Sequence, residues 1–429
     1  MNPLTYGRSL VLGIQMLFVA FGALVLVPLL TGLDPSIALF TAGAGTLLFH
    51  AVTGGSVPIF LASSFAFIAP IQFAMKEYGP GATFGALFCA GLVYFLFSLM
   101  ARVGGRELLN RYLPPIVTGP VIMVIGLKLA PVAVGMSRSF DATGPANNQA
   151  LFLAACSLAT AIVAVLFGKK FFSLIPILCG IIVGYLAALA LRVVDFSPVR
   201  EAAWFQIPWI AARESGAFAR PTFELSAILY MLPVALAPAI EHVGDILAIS
   251  SVAGKNFLAS PGLHRTLLGD GIATSMAGLL GGPPNTTYSE VTGAVALTKA
   301  TDPALMRIAA VAAMILAFAG KLGAILRTIP GPVMGGIMLL LFGMIAAIGV
   351  NSLVKARVDM SRSRNLVIAS LILTTGIGDM TVTCGRFCLG GIGLAGLVGV
   401  LLNLVLPGRG EAHADDAGPE SGAVPPEPS

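Results

Sequence analysis

The chain has 429 residues, of which 57% are hydrophobic and only 10% charged, and its mean hydropathy is +0.92. A soluble domain carries about 25% charged residues, so one soluble core is excluded and an all-α polytopic membrane protein is implied. The net charge of +5 is no argument for nucleic acid as a partner, because basic residues in such a chain set its orientation in the bilayer.

In chain order, the first apolar run begins near residue 9, within MNPLTYGRSLVLGIQMLFVAFGALVLVPLL. It lacks a short apolar region followed by a small-residue cleavage site, so it reads as a span and not as a signal peptide. Further runs begin near 35, 57, 80, 114, 150, 172, 225, 266, 285, 304, 329, 365 and 387. That makes about fourteen segments of roughly 17–25 residues, each able to cross about 30 Å of hydrocarbon as a helix. The 50 glycines and 28 prolines suit closely packed and interrupted membrane helices.

Two segments are too broken for plain helices: the third, VPIFLASSFAFIAP (57–70), and the tenth, PPNTTYSEVTGAVALT (283–298). Both put Pro, small hydroxyl residues and β-branched or aromatic residues in the first half, so each predicts a short extended strand leading into a half-helix.

With an even span number and the N-terminus in the cytoplasm, the inside loops are ARVGGRELLNR (101–111), GKK (168–170), GKNFLASPGLHR (254–265) and VKARVDMSRSR (354–364). These are the basic ones, as the positive-inside rule requires. The mixed-charge segment 192–224, which holds both tryptophans, Trp204 and Trp209, falls outside. The transporter domain covers 1–408, and from 409 to 429 the chain turns polar, rich in Pro, Gly and acid, which predicts a disordered cytoplasmic tail.

An internal repeat orders the spans. RYLPPIVTGPVIM (111–123) and RTIPGPVMGGIML (327–339) align at a shift of 216 residues. Gly54, Gly55 and Pro58, leading to Ser63 and Ser64, find their match in Gly281, Gly282 and Pro284, leading to Ser289 and Glu290. Seven spans separate the copies, so the second half lies upside down relative to the first, and paired interrupted segments mark a substrate site near the midplane. The first repeat covers about 9–192 and the second about 225–406.

Membrane-embedded acids cost roughly 2.5–3.5 kcal/mol each to insert, so Glu241, Asp245, Asp270 and Glu290 are the candidates for function. Glu241 and Asp245 are spaced i, i+4 and share one helix face, while His242 points about 100° away and reads as a packing residue. Asp270 is either a coupling acid or the cap of its span, and Lys128 either snorkels or lines a polar path. Carboxylates accept N–H groups and unpaired strand backbone offers N–H donors, so a planar heterocycle with alternating N–H and C=O matches both. Phe65, Phe67 and Tyr288 are placed to pack on its faces. Cys89, Cys156, Cys179, Cys384 and Cys388 have no two-pair metal spacing and read as small apolar residues, the last two on one side of a helix. No metal or cofactor is expected. No nucleophile–base pair or phosphate loop argues for an enzyme.

At FGALVLVPLL (21–30), LASSFAFIAP (61–70), GPVIMVIGLKLA (119–130), IEHVGD (240–245), the long run 260–299 and IPGPVMGG (329–336), the chain resembles the nucleobase–ascorbate transporters, or nucleobase:cation symporters. Within that family it is most similar to the bacterial uracil permeases. The resemblance implies fourteen spans in two inverted repeats, with a core (about 9–110 and 225–322) and a gate (about 111–192 and 327–406). It also implies a homodimer in the inner cell membrane with both termini cytoplasmic. It makes Glu241 and Glu290 the acids that hold the base, with Phe65, Ser64, Ser289 and Tyr288 around it. Asp245, Glu241 and Asp270 become the proton-coupling groups, H+ the coupling ion and uracil import the expected function. The family signature appears as Glu290, Val291, Gly293, Thr298 and Lys299, with Val291 in place of the family's Asn; in the first span Gln15 precedes Met16 where the family has His. Asp245 stands where uracil permeases have His and, with Asp270, resembles the xanthine and urate branch, whereas Glu290 resembles the uracil branch. An anion exchanger or channel of the same architecture is the reading from another class; it is disfavoured because the interrupted segments carry carboxylates and not Arg or Lys.

Overall fold

Where the apolar runs are uninterrupted the chain is helical, and where Gly, Pro and hydroxyl residues cluster it is extended. The computed structural model describes residues 3–140, 144–169, 172–384 and 387–407. Its first half runs α1 (Pro3–Thr31), α2 (Pro35–Val52), β1 (Leu61–Ser63), a 3-10 turn at Phe65–Phe67, α3 (Ile68–Glu77), α4 (Gly79–Tyr112), α5 (Pro115–Arg138), α6 (Asn148–Phe167) and α7 (Pro176–Ala190). A connector carries α8 (Ser197–Glu201) and α9 (Pro208–Glu214). The second half runs α10 (Leu225–Met231), α11 (Leu236–Ala253), α12 (Leu263–Leu279), β2 (Asn285–Thr287), α13 (Ser289–Thr298), α14 (Pro303–Ala317), α15 (Gly320–Arg327) and α16 (Gly331–Lys355). It ends in α17 (Ser363–Ile377), β3 (Thr381–Cys384), β4 (Phe387–Gly390) and α18 (Gly391–Val405).

Each segment expected from the sequence has a counterpart. Seven described stretches, in α1, α2, α4, α5, α6, α10–α11 and α16, are long and apolar enough to cross a membrane, and α7, α14, α17 and α18 are shorter apolar helices. The strands β1 and β2 fall inside the two broken segments. One expectation fails locally: the last helix begins at Gly391, not near 387, because Thr381–Cys384 pairs antiparallel with Phe387–Gly390. Thr381, Val382 and Thr383 are β-branched and favour the extended form. Cys384 and Cys388 therefore lie on two strands and share no helix face; their side chains lie outside the described residues, as does the expected tail at 409–429.

The inverted repeat is visible in the packing. The repeat equivalents α5 and α16 lie side by side and antiparallel, with Gly119 opposite Gly349, Gly126 opposite Phe342 and Gly335 opposite Ser137. A Cβ at Gly126 would stand 2.3 Å from the Phe342 carbonyl oxygen, so it is the missing side chain that lets the helices approach. With α6, α7, α17 and α18 they form one bundle, while α1, α2, α4, α12 and α14 form the other. Against α1, α2 and α12 of the second bundle, β1 of the first half pairs antiparallel with β2 of the second, Leu61 opposite Thr287 and Ser63 opposite Asn285. Ser64 N–H donates to the Pro284 carbonyl at 2.8 Å and prolongs the pairing.

Helix ends follow local chemistry. Asp34 caps α2, accepting from the Ser36 and Ile37 N–H groups, with Pro35 at the first helical position. Its other oxygen pairs with Arg327, which ties the start of α2 to the end of α15.

Replacing Gly126 by Val should weaken the α5–α16 contact by about 1–3 kcal/mol, seen as a lower midpoint in thermal unfolding of the purified protein. Gly343→Ala, where a Cβ meets nothing within 4 Å, should leave the midpoint unchanged; equal losses in both would contradict this packing.

Candidate functional site

The β1–β2 pair sets the site, because each strand runs directly into a helix start: α13 begins at Ser289, straight after β2, and α3 follows β1 through the 3-10 turn. Two helix N-termini, the positive ends of their dipoles, thus stand beside the paired strands. Against them packs α11, which supplies the acids.

Asp245 is buried, 4% exposed, and accepts two hydroxyls: Thr287 Oγ1 donates to its Oδ2 at 2.6 Å and Ser289 Oγ donates to its Oδ1. The carboxylate therefore fastens α11 to the β2–α13 junction. One turn back, Glu241 is half-buried on the same face, and Glu290 is half-buried in the first turn of α13. Among the described residues neither makes an ion pair or accepts a hydrogen bond from another residue. Asp245 stands one turn from Glu241 on α11 and binds Ser289, the neighbour of Glu290, while His242, next to Glu241 in the chain, faces Asp270, so the four acids gather where α11, α12 and α13 meet.

The aromatic wall is equally specific. Tyr288 is buried and its hydroxyl donates to the Ser63 carbonyl at 2.7 Å. Its ring lies 6.3 Å from Phe65 at an interplanar angle of 15°, and Phe65 in turn meets Phe342 of α16 edge-on at 6.4 Å. Phe65 is half-buried. Phe67 is fully buried in the neighbouring core and stands off this wall. Ser64 is buried, and its Oγ has no partner among the described residues.

The structure shows where Asp270, His242 and Lys128 lie and what they face. Asp270 lies two turns into α12, past the position of a cap; it faces His242, with Nδ1 to Oδ2 at 3.3 Å and both side chains fully buried. His242 is thus an acid's partner as well as a packing residue, and Phe49 meets its ring edge-on at 6.3 Å. Tyr94 of α4 is fully buried against Gly271, the residue after Asp270. Lys128 pairs with Asp379 at 2.5 Å, next to the β3–β4 hairpin. No group of three His, Cys, Asp or Glu residues suited to a metal ion occurs among the described residues.

The profile of the family described as "Permease family", that of the xanthine/uracil permeases, matches residues 7–385. The chain is 54% identical over 395 residues to the "Probable uracil permease" of Haemophilus influenzae, covering 92% of this chain and 93% of that one. It is 46% identical over 412 residues to the "Uracil permease" of Bacillus caldolyticus, with 95% and 94% covered. The chain belongs to the xanthine/uracil permease family. This permease is also 36% identical over 399 residues to the "Uracil permease" of Escherichia coli K12, with 93% and 91% covered. Among solved structures, the transmembrane domain of the cyanobacterial bicarbonate transporter BicA aligns with a TM-score of 0.59 at 16% identity, covering 94% of this chain and 98% of that one. SLC26A9 aligns with a TM-score of 0.66 at 12% identity, covering 94% and 66%. These two share the fold, that of a multi-pass membrane protein.

Three residues that bear on the candidate site carry no motif signal. Phe342 closes the aromatic wall from the opposite bundle. Asn285 ties β2 to α2 by donating to the Thr41 carbonyl at 2.9 Å. Thr287 holds Asp245; it stands two residues before Ser289, and on a strand that spacing places two side chains on one face, the one clue available in sequence.

Thr287→Val and Asp245→Asn should be coupled by about 0.5–3 kcal/mol in a double-mutant cycle of unfolding free energy. Strictly additive losses would contradict the Thr287–Asp245 bond.

Proposed function

We propose that this permease imports a nucleobase, uracil foremost, by proton symport, the bundle that carries α1, α2, α4, α12 and α14 moving against the α5–α16 bundle in alternating access. One observation carries the reading: Glu241 and Glu290 stand uncompensated at the α11–α13 junction beside the Phe65–Tyr288 wall. Carboxylates accept the ring N–H groups of a base, the first N–H groups of the helical turns that follow Ser64 and Tyr288 suit its carbonyls, and Phe65 offers an aromatic face. The uracil permeases at 36–54% identity support the substrate class.

Protons suit the site as coupling ions. The four carboxyl groups gather with one imidazole, and none of the four pairs with a Lys or Arg among the described residues, so protons and N–H donors are the counter-charges available. Asp245, Glu241 and Asp270 are the groups assigned to coupling, with His242 beside Asp270. No cofactor is needed. A dimer in the inner membrane with both termini cytoplasmic completes the proposal. A xanthine- or urate-type substrate is the second reading, favoured by Asp245 where uracil permeases carry His. An anion exchanger is the poorer fit, since the site gathers carboxylates and not Arg or Lys.

Glu241→Gln and Glu290→Gln should each weaken uracil binding roughly 10- to 100-fold, the worth of a hydrogen bond to a charged acceptor, and uptake of labelled uracil should fall accordingly with the protein still in the membrane. Normal uptake in both variants contradicts the site. With protons as the driving ion, uptake falls as external pH rises and ignores sodium at constant pH; sodium dependence at fixed pH contradicts proton symport.

A further inference from the structure

The connector between the two halves treats its two tryptophans oppositely. Trp209 turns inward: its Nε1 donates to the Leu280 carbonyl at 2.8 Å and its ring meets Phe40 edge-on at 4.9 Å. Trp204 turns outward and is 82% exposed, and its neighbour Phe205 is 69% exposed. A loose loop would leave such rings mobile in water, but this backbone is held. Gln206 N–H donates to the Phe318 carbonyl at 3.0 Å, Gly320 N–H donates to the Trp204 carbonyl at 3.1 Å, and Phe205 bridges Ala319 as in an antiparallel sheet. Lys321 Nζ donates to the Val199 and Arg200 carbonyls at 2.6 and 3.0 Å and stands 5.9 Å over the Trp204 ring.

The surface on which these rings stand is continuous with a membrane span. Along α14, Val311 and Ile315 point outward at i, i+4 spacing, Ile315 being 67% exposed. Phe318 follows three residues on, and the Phe205 ring stacks on it at 5.6 Å and 7°. One apolar strip therefore runs from the outer face of α14 over Phe318 and Phe205 to Trp204, with the Lys321 cation at its far end. That is the order of groups met on leaving a bilayer: aliphatic side chains in the hydrocarbon, then aromatic rings and a snorkelling cation at the headgroups.

We propose that residues 203–206, clamped to the α14–α15 turn, form a membrane-interface anchor, with Trp204 and Phe205 seated in the headgroup layer of the lipid. The anchor fixes the height of that turn in the membrane and presents no aromatic pair to water. This inference stands apart from the choice of transport substrate.

The two tryptophans of the chain permit a direct test on the full-length protein in liposomes. In Trp209→Phe, Trp204 is the sole fluorophore. Its emission should lose most of its intensity when the lipid carries bromine near the top of the acyl chain, and lose little to aqueous iodide. In Trp204→Phe, which keeps the inward ring, the lipid-quenched fraction of the wild-type emission should vanish, so the result does not hang on one variant. Strong iodide quenching with none by brominated lipid places Trp204 in water and overturns the anchor. Quenching by neither agent places the ring against protein, such as a second copy of the chain, and also overturns it.

Discussion

Within hydrocarbon a backbone must satisfy its own N–H and C=O groups, and two three-residue strands cannot do so alone. The pairing of β1 with β2 is the constraint on which the rest depends. It joins a strand of the first half to a strand of the second, so the site exists only when both repeats have folded together. The outer edges of the pair are completed by side chains: Thr46 Oγ1 accepts from the Leu61 N–H at 2.9 Å, Thr274 Oγ1 donates to the Asn285 carbonyl at 2.7 Å and Tyr288 donates to the Ser63 carbonyl. Helices α2 and α12 therefore act as strand substitutes on either side.

From that pairing the chemistry follows. The strands end where α13 and the turn before α3 begin, so helix starts and aromatic rings face the same space as the acids of α11. Asp245, holding Thr287 and Ser289 at once, sets the distance between α11 and α13 and hence between Glu241 and Glu290. A buried carboxylate bound to two hydroxyls is a structural bolt as well as a charge. The buried His242–Asp270 pair joins α11 to α12 and adds a second pair of ionisable groups next to Glu241 in the chain.

Much of this was legible in the amino-acid order because membrane burial writes strong signals. Fourteen segments, both broken segments and the 216-residue shift follow from apolar length, Gly–Pro interruption and repetition, and the i, i+4 spacing put Glu241 and Asp245 on one face. What stayed hidden depends on partners distant in the chain. His242 looked like packing because its acid lies on another helix, and Lys128 had no visible partner until the fold brought Asp379 to it. The β3–β4 hairpin was read as helix because its residues are apolar enough to pass for a span start, although the β-branched run Thr381–Thr383 argued for strand. Phe342 reaches the site only through the α5–α16 bundle, which no local pattern announces.

The central claim is that the acids of α11 and α13 hold a nucleobase. Thermal unfolding of the purified protein against uracil, thymine, xanthine, urate, hypoxanthine and ascorbate, with chloride and sulfate alongside, tests it most directly. A ligand present at a hundred times its Kd stabilises by about 2.7 kcal/mol, so uracil should raise the midpoint by several degrees while the inorganic anions leave it in place. Stabilisation by chloride or sulfate, with none by any base, would contradict the account.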